Sequence, residues 1–115
     1  RATGKFALEE TEIAAALKAN GWAIGDREAA DSLMLDAGLV AKVGAEGVYV
    51  VGTADGHGLA IKIADGSMRA MAAVAVAILA KHELISADVA AELTAKVSPR
   101  VLGGGNDVGH LEIMI

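Results

Sequence analysis

Apolar positions change their period along the chain. Near the N-terminus they recur at helical spacing: Ile13, Ala16 and Leu17 fall on one face, Thr11 stands where an N-cap would, and Glu12 suits the first turn. Asn20-Gly21 is a stop signal. Trp22-Ala23-Ile24-Gly25 is an apolar loop expected to pack down on the body. Asp26 reads as a second N-cap, opening a short helix from Arg27 to about Leu35 that turns Ala30, Leu33 and Met34 inward. Gly38 ends it.

The period then shortens to two. Leu39–Lys42, Gly47–Val51 and Leu59–Ala64 read as strands. In the third, Leu59, Ile61 and Ile63 share one face, with Ala60, Lys62 and Ala64 on the other. Asp55-Gly56 is the strongest hairpin signal, and connections this short favour an antiparallel meander. After Asp65-Gly66-Ser67, with Ser67 as a cap, the run from Met68 to about His82 is apolar nearly all round and reads as a helix buried on most sides against that sheet. Ser86 caps a further helix, Ala87 to about Lys96, whose narrow stripe of Val89, Leu93 and Val97 places it at the surface. Ser98-Pro99 breaks it. Val101-Leu102 and Val108–Ile113 are late strand candidates around a glycine-rich turn. The pattern predicts an α/β (α+β) fold, an antiparallel sheet with packed helices, in a single domain spanning residues 1–115.

Composition narrows the range of partners. The net charge of -5 and three aromatic residues argue against nucleic acid and against anionic membranes. The longest apolar run is interrupted by Arg69 and falls short of the roughly 20 residues that span a bilayer. With no cysteine, disulfides and thiolate metal sites are excluded within this sequence, which is compatible with a cytoplasmic location. His57, His82 and His110 lack ligand spacing, so no metal or cofactor is expected. The triple glycine at 103–105 has no Lys-Ser/Thr after it and reads as a hairpin turn rather than a phosphate cradle.

The chemistry concentrates at Lys42-Val43-Gly44-Ala45-Glu46-Gly47. A cation closes a strand beside a glycine that lets another backbone or a ligand come close. Such a lysine is either an ordinary solvated strand-end residue or a holder of carboxylate. Lys-x-Gly at a strand end is also the form of the Lys-Thr-Gly element of serine β-lactamases, a weak motif by itself. Glu46 has two readings: it fixes Lys42 or meets a substrate amino group, or it is a solvated turn acid. Lys62 and Asp65 read as structural, Asp65 through a turn contact at Ser67. Ser67 and Ser86 are caps rather than nucleophiles.

Ala41-Lys42-Val43-Gly44-Ala45-Glu46-Gly47-Val48-Tyr49, followed by Lys62-Ile63-Ala64-Asp65-Gly66-Ser67, resembles the C-terminal portion of the asparaginase II family. The likeness reaches back to Ala19 and fades after about residue 85. It implies a fold resembling the C-terminal part of the serine β-lactamase-like fold. It also implies hydrolysis of L-asparagine to L-aspartate and ammonia, with Lys42 as the second catalytic lysine and Gly44, Ala45 and Glu46 lining the substrate. The family's Ser-x-x-Lys and Ser-Gly-Lys-His elements are absent from this sequence. The resemblance therefore implies a C-terminal fragment whose partners are the N-terminal half of the same protein and, through faces left uncovered, further copies of itself. Rival readings are a glutaminase-like amidohydrolase and a non-catalytic module that binds a carboxylate ligand or another protein.

Overall fold

The computed structural model describes residues 8–115. Among the described residues, four helices and two small antiparallel sheets make an α+β fold. Helix α1 is Leu8–Ala19 and α2 is Ala30–Asp36, with a 3-10 turn at Gly21–Ala23 between them. The central sheet is a meander of β1 (Val40–Gly44), β2 (Val48–Gly52) and β3 (Gly58–Lys62), in the order β1-β2-β3. Helices α3 (Met71–Lys81) and α4 (Ala87–Val97) follow, and then a hairpin of β4 (Val101–Gly103) and β5 (Asn106–Gly109).

The alternation predicted for the strands carries through to packing. Ala41, Tyr49 and Val51 turn one face of the sheet into the core, joined by Val43, Leu59 and Ile61. Met71, Ala72, Ala75, Val76 and Leu79 of α3 cover that face, and Met34 and Leu93 close it from α2 and α4. Small residues on α3 let the helix approach the sheet closely, and Ala75 and Val76 are almost fully excluded from water. The opposite face carries Lys42, Val50, Ala60 and Lys62, all exposed.

Helix ends follow local chemistry in some places and depart from it in others. Ser86 caps α4 by accepting from the Val89 N–H at 3.3 Å. At the end of α2, Gly38 N–H donates to Leu35 and Leu39 N–H to Met34, the paired bonds of a Schellman motif. Thr11, by contrast, lies inside α1 and cannot be its N-cap. Asp26 does not cap α2, which begins three residues later than expected. Its carboxylate instead turns the chain by accepting from Glu28 N–H at 2.9 Å. Ser67 is likewise no cap: α3 starts at Met71, and Met68 and Arg69 are exposed. Asp65 holds that turn by accepting from Ser67 N–H at 2.9 Å.

Two packing expectations change. Trp22 is 60% exposed, because the 3-10 turn directs Gly21 inward against Leu35 and leaves the indole outside. In α2 the buried set is Asp31, Ser32, Met34 and Leu35, while Ala30 and Leu33 are half-buried. The late strand is shorter than the sequence suggests: β5 ends at Gly109, and residues 110–115 are irregular.

Candidate functional site

The turn between β1 and β2 brings the two sequence motifs together. Gly44 pairs with Val48, leaving a three-residue loop of Ala45, Glu46 and Gly47. Glu46 and Gly47 both take positive φ, 57° and 71°. A Cβ on Gly47 would sit 3.0 Å from both the Gly66 carbonyl carbon and the Ile63 Cβ, so glycine here serves close approach as well as backbone freedom. The Gly47 carbonyl accepts from Ile63 N–H at 2.9 Å, and the Glu46 carbonyl accepts from Lys62 Nζ. The Lys42–Gly47 segment and the Lys62–Gly66 segment therefore form one surface, with Lys62 tying the turn down.

Lys42 stands on the outer face of β1, an edge strand. Its ammonium reaches over the edge to Asp31 Oδ2 at 3.4 Å and to the Val43 carbonyl at 2.9 Å. The same Asp31 oxygen accepts from Val43 N–H at 3.0 Å. That N–H points away from β2 and would otherwise lie unpaired at the edge. A helix of seven residues thus seals one edge of the sheet with a single carboxylate and holds a cation there. The Asp31 side chain is 6% exposed and the Lys42 side chain 56%. An ammonium has three protons. Asp31 and Val43 accept two of them, and the side chain is half-exposed.

Tyr49 lies on the core face of β2, and its buried hydroxyl has no hydrogen-bond partner. Burial first, and then the Asp31 carboxylate, push its pKa well above the ordinary phenol range and keep it neutral.

Lys42 lies mid-strand in β1, paired with Val50, and not at the strand end that the sequence suggests, because the ladder continues to Gly44; Ala45 and Glu46 lie in the turn that follows. The ammonium pairs with Asp31 rather than with Glu46, whose exposed side chain makes no ion pair among the described residues. Asp31 had gone unnoticed in the sequence. Its signal was an Asp-Ser pair inside the inward face of a short apolar helix, where either residue is costly unless partnered. The wall is open. Two shallow clefts lie elsewhere, one of about 300 Å³ between Gly38-Leu39, Thr53–Asp55 and Leu84–Ser86 and one of about 400 Å³ along Val50–Gly52 and Gly58–Ala60. No group of three or more His, Asp or Glu side chains among the described residues could hold a metal ion. Among the described residues, no helix is long and apolar enough to cross a membrane.

A lysine ammonium held by a buried acid marks the β1 edge of the meander on this α+β domain. The L-asparaginase II family model matches residues 2–113. The chain belongs to that family, and the match extends well past residue 85, where the motif likeness fades, to take in α4 and the β4–β5 hairpin. No curated protein sequence matches the chain.

Proposed function

We propose that this domain supplies one wall of an L-asparagine amidohydrolase site, in which Lys42 is the charged contact. The observation that supports it most is the half-exposed Lys42 ammonium, held by Asp31 and Val43 at a strand edge, in a chain of the L-asparaginase II family. Amide hydrolysis needs an activated nucleophile, a site for the developing oxyanion and groups that hold the substrate. Lys42 serves the last of these by binding the substrate carboxylate, or the first by stabilising a deprotonated nucleophile. The backbone of Gly44 and Ala45 borders the same space, and Glu46 at the exposed turn meets the substrate's amino group.

The nucleophile is placed outside this sequence because the family's Ser-x-x-Lys element is absent from it. Ser32 is buried and donates to the Gly21 carbonyl at 2.9 Å, and Ser86 is engaged as the α4 cap. The wall's openness fits a second half, of serine β-lactamase-like architecture, closing over the Lys42 edge. The reading is tested by ammonia release from L-asparagine, with L-glutamine for comparison, using the full-length protein that carries this sequence. Turnover of asparagine in preference to glutamine is expected, and Lys42→Ala should lower kcat/KM by about 10²-fold or more, the range typical of one positioned proton-transfer or charged group. Wild-type kinetics for Lys42→Ala would remove Lys42 from the mechanism. Glutamine preference would favour the glutaminase-like alternative.

A further inference from the structure

We infer that Asp31 is a positioning residue for Lys42, acting on the reaction through the lysine. The inference rests on the proposal that Lys42 faces the substrate. Among the described residues Asp31 is the one buried charged side chain, 5% exposed, in the middle of the apolar α2–β1 contact. Taking a carboxylate out of water is costly unless its charge is matched.

The structural duty of Asp31 does not need the charge. Sealing Val43 N–H requires an acceptor oxygen at 3.0 Å, and a neutral asparagine would provide one. The group that needs the negative charge is the Lys42 ammonium, 3.4 Å from the same oxygen. Because one oxygen holds both the backbone N–H and the ammonium, the cation is referenced to the strand itself. The Val43 carbonyl adds a second fixed point at 2.9 Å. An otherwise half-exposed lysine, with four rotatable side-chain bonds, is thereby confined to one direction.

The test uses the full-length protein with Asp31→Asn, Lys42→Ala and the double variant, read by circular dichroism and by asparagine kinetics. Asp31→Asn keeps an acceptor for Val43 and should fold. It should lower kcat/KM by roughly 10- to 100-fold, the cost of a misplaced group. Asp31→Glu, which restores the charge one methylene further out, should recover part of that loss. The double variant should be no worse than Lys42→Ala alone, because Asp31 acts through the lysine. If Lys42→Ala is impaired while Asp31→Asn has wild-type kinetics, the inference fails and the Lys42 reading stands. If Lys42→Ala has wild-type kinetics, that reading fails and the inference with it. If Asp31→Asn does not fold, site-resolved lysine acylation of the wild-type protein decides. Lys42 reacting more slowly than the exposed Lys81 supports the inference, and equal rates overturn it.

Discussion

The β1–β3 meander and the β4–β5 hairpin are built from the same kinds of turn and strand but held in different ways. In the meander every strand offers one face to a shared core, and the register is set by Tyr49, Val51 and Leu59 entering it. A slip of one residue would exchange that face for Lys42, Val50 and Ala60. In the hairpin, β5 is exposed along its whole length, with Val108 at 64%. Its register comes from local devices. Gly104 and Gly105 both take positive φ in a two-residue turn. Arg100 spans the ladder to Asp107, with Nε to Oδ1 at 3.1 Å and Nη2 to Oδ2 at 2.8 Å. Burial makes a sheet register expensive to change, whereas a turn and an exposed ion pair only bias it. The candidate site lies on the first kind of framework. That is where a group needing a fixed position would be placed.

Core truncation should break this comparison most strongly. Leu79→Ala, at 1% exposure under the meander, is expected to cost about 2–5 kcal/mol, while Val108→Ala on the hairpin should stay within about 0.5 kcal/mol. Urea unfolding of both variants gives the difference directly, and similar values would mean that the hairpin is part of the core.

The second test sets two turn glycines against each other. Gly47→Ala meets Gly66 and Ile63 at 3.0 Å as well as an unfavourable φ of 71°, and should cost about 3 kcal/mol. Gly104→Ala has a φ of 58° but nothing within 4 Å, so only backbone strain remains, about 1 kcal/mol. Equal losses would show that the packing of the two motif segments at Gly47 contributes little.

The smallest expected effect sharpens the comparison from within the meander, at the exposed loop joining β2 to β3. There Asp55 accepts from Thr53 Oγ1 and meets His57 Nδ1 at 3.0 Å. The Thr53 hydroxyl first, and then His57, lower the Asp55 pKa from 3.8 to about 2. A carboxylate with a depressed folded-state pKa stabilises the fold fully above its unfolded value, and that contribution is lost as pH falls. The loop should therefore loosen between about pH 4 and pH 2 while the strands beside it hold. NMR shifts of Thr53 and His57 amides would follow the change. Invariant shifts across that window would remove the Asp55 contacts from the loop's stability.

Much of the fold was legible because its signals are local. The two-residue alternation at Leu59, Ile61 and Ile63 gave a strand with the correct inward face. Ser86 with the Val89, Leu93 and Val97 stripe gave a capped surface helix. The misplaced caps share one cause. Thr11, Asp26 and Ser67 have cap chemistry, but a short polar side chain serves a turn equally well, and the choice depends on where the following helix is drawn by its packing. Trp22 shows the same limit: an indole's apolar character does not say which way a 3-10 turn will aim it.

The sequence by itself determined the strand and helix periods, the meander, the presence of a cation in the first strand and the family likeness, because each is carried by neighbouring residues. The tertiary structure decided what that cation does. Asp31 and Lys42 are eleven positions apart on different elements, and they meet only because α2 packs along the β1 edge. No local pattern encodes that meeting. It follows from burying Met34 against the sheet, which carries Asp31 to the Val43 N–H and the Lys42 ammonium.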